Sequence, residues 1–187
     1  MALSTLDPKS ALVVIDLQNG IASIPTQPHA SDAIIDRTVR LAEAFRAHDL
    51  PVVLVRVSFS GPDAVPGRTE VARNAAPPAE GWDQIVEELA PLADVVVTKH
   101  NWGAFHGTDL DVQLRRRGVT QIVLTGIATS IGVESTARAA HEHGYHVALV
   151  TDAMGDASAE AHANSVARIF PRLGETGTTD EVLALVA

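Results

Sequence analysis

The chain has 187 residues, of which 46% are apolar, a formal net charge of −9 and no cysteine. This length and composition fit one folded domain over 1–187 and exclude a disordered chain. The acidic balance argues against a nucleic-acid partner, and the absence of cysteine excludes disulfides, thiolate catalysis and cysteine-ligated zinc. Because no apolar run could span a bilayer and no signal-peptide pattern opens the chain, we expect a cytoplasmic protein without a membrane partner.

Short, solidly apolar runs alternate with segments of helical periodicity. The runs predict strands at 11–15, 52–57, 94–99, 121–125, 146–151 and near Glu175. Helices are predicted at 31–48, 82–89, 109–117, 131–143, 159–170 and 180–186. The proline-containing stretch 58–78 is long for a connection and is predicted to cover a site. The alternation indicates an α/β fold with a parallel sheet covered on both faces, in which ligands bind beyond the carboxyl ends of the strands.

The turn between the fourth strand and its helix is a candidate anion-binding element. Gly126 ends the strand, and Gly132 lies near the start of the helix. Unpaired N–H groups and the helix dipole favour an oxyanion or carboxylate at such a turn. The small residue at 132 leaves room for a ligand but supplies no nucleophile.

Two charged residues lie at the same predicted edge of the sheet. Asp16 closes the first strand, and Lys99 closes the third. Either residue alone is most simply explained as a solvated strand end. Together with the turn at 126–132, they could form a proton-transfer site beside a set of backbone donors.

Four sequence blocks around these residues resemble the isochorismatase-like hydrolase superfamily. They are VVIDLQNG at 13–20, TKHNWGAFHGTDL at 98–110, TGIATSIGVESTARAA at 125–140 and TDAMGDASAEAHANS at 151–165. The resemblance implies a three-layer α/β/α fold with a six-stranded parallel sheet in the order 3-2-1-4-5-6. It also implies a cis bond between Ile127 and Ala128, a small-molecule substrate, no cofactor and assembly into a homo-oligomer.

In amidases of this superfamily an Asp, a Lys and a Cys perform the catalysis, and these positions fall on Asp16, Lys99 and Gly132. A thiolate acyl-enzyme cannot form at Gly132. The isochorismatases of the superfamily resemble this chain in carrying Gly there, and they cleave a vinyl ether without a covalent intermediate. We therefore expect Asp16 to act as a general acid in such a hydrolysis. The alternative is a small-molecule-binding or partner-binding protein that kept the fold and lost the chemistry.

Other residues near the blocks are candidate substrate contacts. Gln18 could orient Asp16 and contact substrate, or it could anchor a loop. The resemblance implies that the loop carrying Trp102 and Phe105 walls the substrate pocket, although packing is an equally good explanation of an aromatic pair. Ala128 and Thr129, in the turn itself, are further predicted substrate contacts. The eight histidines show no ligand spacing for a metal and are predicted to be surface residues.

Overall fold

The computed structural model describes residues 3–60, 68–70 and 78–186. One six-stranded, wholly parallel sheet runs through these parts, in the order β3-β2-β1-β4-β5-β6. The strands are β1 (Ser10–Ile15), β2 (Val52–Val57), β3 (Val95–Lys99), β4 (Gln121–Ile127), β5 (His146–Gly155) and β6 (Glu175–Gly177). The α-helices are α1 (Asn19–Ala22), α2 (Ser31–Ala47), α3 (Leu110–Arg116), α4 (Glu134–Glu142), α5 (Ala159–Asn164) and α6 (Thr179–Val186). The predicted fold class and strand order are confirmed.

Helices cover both faces of the sheet because every central strand is apolar on both sides. One face of β1, carrying Val13 and Ile15, packs with α3, α4 and the segment that follows α5. The other face, carrying Leu12 and Val14, packs with α2 and α6. Two dry cores therefore hold the sheet rigid and leave its carboxyl edge as the place where polar side chains converge.

The predicted helix at 82–89 is wrong. Backbone groups in this segment bond to the chain just after β1: Asn19 N–H donates to Gln84 O at 2.9 Å and Gly20 N–H to Trp82 O at 2.8 Å. Ile85 forms an antiparallel bridge with Gln18. These long-range bonds replace the helical ones, and only a short 3₁₀ turn, Ala90–Leu92, follows.

Two other predicted helices are less regular than their sequences indicate. The fourth begins as a π-helical turn, Thr129–Val133, before α4. The helix predicted at 159–170 ends as α5 and continues as a π-helical turn, Ser165–Ile169, and a 3₁₀ turn, Phe170–Arg172. β5 is also longer than predicted, since its second half pairs with the end of β4 after a shift in register. Most of the stretch 58–78, predicted to cover a site, lies outside the described residues.

Candidate active site

Asp16 is the first residue beyond β1 and is 5% exposed. Its backbone has a φ of 53°, in the left-handed region, and its N–H donates to Val55 O at 2.9 Å. Carboxylate atom Oδ2 accepts a hydrogen bond from Lys99 Nζ at 2.8 Å. Oδ1 is buried and has no hydrogen-bond partner among the described residues. One carboxylate oxygen is thus held by a cation, and the other is left for a ligand.

Lys99 reaches Asp16 across an intervening strand, since β2 lies between β3 and β1. Its side chain is 2% exposed, and Nζ also donates to Asn101 O at 3.1 Å. The extended, buried stem of the lysine spans the width of one strand, which explains why residues 83 positions apart form an ion pair. The two charged residues predicted at the same edge of the sheet therefore form a buried ion pair.

Burial governs the acidity of Asp16. Loss of hydration raises the pKa of its carboxyl from 3.8 to about 6, against the charge and hydrogen bond of Lys99, which lower it. Burial therefore outweighs the neighbouring cation. A carboxyl with this pKa can both release and take up a proton near neutral pH, as general acid–base catalysis requires.

Gly126 brings the end of β4 against the end of β1. Its φ is 121°, and a Cβ at this position would lie 2.0 Å from Ile15 O. No side chain fits there, so glycine is required for this close approach. The next peptide bond, between Ile127 and Ala128, is cis, as the resemblance implies. The turn therefore begins directly beside Asp16.

Gly132 faces the carboxyl of Asp16. A Cβ built on Gly132 would lie 3.1 Å from Asp16 Oδ2, 2.9 Å from Ile15 Cγ2 and 3.6 Å from Trp102 O. Position 132 therefore points at the buried carboxyl, and with glycine there the backbone itself forms that side of the site.

The turn directs fewer N–H groups to a ligand than its sequence predicts. The N–H of Ser130 donates to Asp156 Oδ2 at 2.7 Å, and those of Ile131 and Val133 both donate to Ala128 O at 3.2 Å. Three donors are thus used inside the protein.

The side chains of Thr129 and Ala128, two predicted substrate contacts, each contact another part of the protein. Thr129 is fully buried, and its Oγ1 lies 2.9 Å from His162 Nδ1. Ala128 packs against the core shared with α2 and α6. Contact of these two residues with a substrate stays a prediction. His162, 7% exposed, also corrects the prediction that the histidines are surface residues.

Gln18 anchors a loop, which is the second of its two predicted roles. The side chain is fully buried, Oε1 accepts from Val57 N–H at 2.7 Å and Nε2 donates to Val57 O at 3.0 Å. Both ends of the amide are therefore used on the backbone at the end of β2. The structure gives Gln18 no free group with which to bind a substrate.

The two aromatic residues of the 98–110 block have different environments. Phe105 is buried and stacks on the ring of His143 at 5.0 Å, which supports its packing role, while its place in a pocket wall stays a prediction. The Trp102 side chain is 62% exposed, while its carbonyl oxygen lies beside Gly132. The loop thus borders the site with its backbone at Trp102.

Asp156 is a site residue that the sequence interpretation did not select. It is 3% exposed and lies just beyond β5, at the same edge of the sheet as Asp16 and Lys99. An acidic residue following a buried strand was the available signal. It was missed because the strand was expected to end at residue 151.

No group of three His, Cys, Asp or Glu side chains in the described ranges could hold a metal ion.

A cleft of about 760 Å³ opens at the opposite, amino edge of the sheet and includes Lys9, Arg46, His48, Asp94 and Arg117. Its cations lie near the C-terminal ends of α2 and α3, where they complement the helix dipoles, and Arg46 is already paired with Asp94 at 2.9 Å. None of the helices in the described ranges is long and apolar enough to cross a membrane.

The fold is a three-layer α/β/α domain, and a buried Asp–Lys pair faces a glycine-containing turn at the carboxyl edge of its sheet. Such a site is suited to the hydrolysis of a small molecule. The family model of the isochorismatase domain matches residues 10–181, so the chain belongs to the isochorismatase family. Relatives of known sequence include the isochorismatase family protein YecD of Escherichia coli O157:H7, 46% identical over 93% of this chain and 94% of that protein.

A ureidoacrylate amidohydrolase, RutB of Methylobacterium radiotolerans, is 32% identical over 88% of this chain and 74% of its own length. The solved structure of an isochorismatase family protein from Burkholderia thailandensis superposes with a TM-score of 0.93, at 48% identity and 97% coverage of both chains. The family thus includes hydrolases, amidohydrolases among them.

Proposed function

We propose that this protein hydrolyses a small molecule of the vinyl-ether type, with Asp16 as general acid and without a covalent intermediate. The observation that supports this most directly is the Asp16 carboxyl itself. It is buried, its pKa is about 6, its Oδ1 has no hydrogen-bond partner among the described residues, and it faces a glycine. A proton donor is present where a nucleophile is absent.

The proposed reaction follows from these groups. The protonated carboxyl of Asp16 donates its proton to the terminal vinyl carbon, which leaves an oxygen-stabilised cation on the adjacent carbon and a carboxylate on Asp16. Lys99 stabilises that carboxylate. Water adds to the cation and loses a proton to the carboxylate, and the resulting hemiketal breaks down to a carbonyl compound and an alcohol. Every proton is accounted for, and no acyl-enzyme forms.

Gly132 occupies, in this proposal, the position at which amidases of the superfamily carry their nucleophilic cysteine. Its geometry supports the assignment, since a side chain at 132 would point at the Asp16 carboxyl, 3.1 Å from Oδ2 at its first atom. The absence of any cysteine in the chain makes thiolate catalysis impossible at this or any other position.

The test compares turnover of aryl and carboxylated vinyl ethers by wild type and by Asp16→Asn, followed by release of the carbonyl product. We expect turnover by wild type and a loss of about 100-fold or more in kcat in the variant, the contribution typical of a positioned general acid. Asp94→Asn is the control, because it makes the same change in a carboxylate that is paired with a cation, Arg46, at the opposite, amino edge of the sheet. Tight binding of these compounds without turnover would favour a binding protein and overturn the proposal.

The assembly and location of the protein are also proposals. The resemblance supports a homo-oligomer, which light scattering of the purified chain would show directly. Action in the cytoplasm, which the sequence analysis predicts, stays a proposal.

A further inference from the structure

Two side chains from one segment hold the turn that faces Asp16. Asp156 Oδ2 accepts the N–H of Ser130 at 2.7 Å, and His162 Nδ1 lies 2.9 Å from Thr129 Oγ1. We propose that Asp156 and His162 are positioning residues that hold Thr129 and Ser130 and thereby set the backbone of the turn against the Asp16 carboxyl. The kinetic consequences rest on the proposed function, whereas the structural claim does not.

Both of these hydrogen bonds involve buried residues. Thr129 is fully buried, Asp156 is 3% exposed and His162 is 7% exposed. Water has little access to replace either hydrogen bond, so a shift of the turn would leave buried polar groups unpaired, which is costly. Burial also lowers the pKa of His162, so its ring is neutral near pH 7 and its Nδ1 can accept a hydrogen bond from the hydroxyl of Thr129.

The segment that carries Asp156 is itself fixed. The backbone N–H of Asp156 donates to Gln27 O at 2.9 Å, and Gln27 N–H donates back to Asp156 O at 2.8 Å. A third contact lies further along, where Ser165 Oγ donates to Glu134 Oε2 at 2.7 Å. The residues from 156 to 165 thus hold the turn and the start of α4 from a rigid base, and we call this set of contacts the brace.

The brace acts on Asp16 through a short distance. Gly132 follows Ser130 by two residues, and a Cβ built on it would lie 3.1 Å from Asp16 Oδ2. The turn therefore lies close against the carboxyl of Asp16, which is 5% exposed. If the brace is loosened, water reaches the carboxylate, the cost of burying its charge falls, and the pKa of Asp16 returns toward its ordinary value.

The experiment measures the pKa of Asp16 by ¹³C NMR of its carboxyl carbon, assigned by its absence in Asp16→Asn. Thr129→Val, which replaces the hydroxyl by a methyl group, and His162→Leu each remove the hydrogen bond between these two side chains. We expect the pKa to fall from about 6 toward 3.8 in both variants. Thr129→Ser and His162→Asn, which keep a hydrogen-bonding group at the same place, are expected to restore the wild-type value.

Ser158→Ala is the matched control. It removes a hydrogen bond in the same segment, the cap that Ser158 Oγ provides to Ala161 N–H, without touching the turn. We expect it to leave the pKa of Asp16 unchanged even if it lowers the melting temperature. For a vinyl ether turned over by wild type, Thr129→Val and His162→Leu are expected to lower kcat about 10-fold with little change in KM, because a positioning defect acts on the proton transfer.

Folded Thr129→Val and His162→Leu with an unchanged Asp16 pKa would show that the brace contributes stability alone and would overturn the proposal. Thr129→Val keeps the shape of the side chain, so it serves as the decisive variant if His162→Leu does not fold. If wild type cleaves no vinyl ether, the proposed function fails, but the NMR measurement still decides the role of the brace.

Discussion

At the scale of single residues, the chemistry depends on the balance of forces on Asp16. Burial raises its pKa, and Lys99, 2.8 Å from Oδ2, lowers it. Neither effect alone gives a usable general acid. Without burial almost none of the acid form would exist at neutral pH, whereas a pKa of about 6 leaves a fraction of the carboxyl protonated. Without the lysine the conjugate base would lack a counter-charge.

Lys99→Met tests this balance. Removing the cation is expected to raise the pKa of Asp16 further above 6. Because the acid form is the active one, the fall in kcat/KM at high pH should move upward by about 1 to 3 pH units, the range for loss of an adjacent opposite charge. Lys9→Met, which removes the same charge from an exposed position at the amino edge of the sheet, is the control. An unmoved alkaline limb in Lys99→Met would show that another group controls the pH dependence.

Gly132→Cys tests the absence of amidase chemistry. We expect no hydrolysis of nicotinamide, carbamoyl-amines or simple acyl amides by wild type, and little gain in the variant. A Cβ at 132 would lie 2.9 Å from Ile15 Cγ2, so the new thiol displaces its neighbours, and a small misplacement costs about 100-fold in rate.

The assay measures amide hydrolysis by wild type and by Gly132→Cys, and by each of these proteins carrying the additional substitution Asp16→Asn. Ser135→Cys controls for the general reactivity of an added thiol. Robust amide hydrolysis by wild type that depends on Asp16 would contradict the nucleophile-free mechanism, and the attacking group would then be water or Ser130.

At the scale of elements, the edge of the sheet is organised by loops that pair over long distances. The segment at 82–86 bonds to the chain just after β1, and Gln18 joins both to the end of β2. These contacts explain why a helical sequence pattern did not produce a helix. They also fix the chain immediately after Asp16.

Gln18→Ala is expected to destabilise the protein by about 3 kcal/mol, because it leaves the buried N–H and C=O of Val57 unpaired. Urea unfolding measures the change. Gln113→Ala removes an amide whose hydrogen bonds are exposed on α3 and is expected to cost no more than about 0.5 kcal/mol. A stable Gln18→Ala variant with impaired turnover would instead favour the predicted substrate contact.

At the scale of the whole molecule, the raised pKa of Asp16 makes its contribution to stability depend on pH. The folded protein binds this proton more tightly than the unfolded chain. The contribution is therefore fully present below pH 3.8 and is lost as the pH rises through about 6.

The gap between 3.8 and about 6 corresponds to about 3 kcal/mol. We expect the free energy of unfolding of wild type, relative to Asp16→Asn, to fall by roughly this amount over that window in urea titrations. Glu175, which is partly buried and whose pKa is lowered by its hydrogen bonds to Ser4, has the opposite pH dependence but is present in both proteins and cancels. A constant difference across the window would contradict the raised pKa.

Local sequence determined the parts of this protein that depend on local physics. Solid apolar runs produced the first five of the six strands, and the alternation with helices required a parallel sheet covered on both faces. The glycines at 126 and 132 marked a close turn, and the resemblance supplied the strand order and the pairing of Asp16 with Lys99.

Only the tertiary structure decided which polar groups remain for a ligand. Gln18, Thr129 and the N–H of Ser130 all lie beside the site in sequence, yet each is bonded to a partner at least 26 residues away. The acidity of Asp16 was likewise open, because burial and a cation shift its pKa in opposite directions and their sizes depend on packing. Periodicity reports which face of an element is buried, but hydrogen-bond partners and desolvation arise only when distant segments meet.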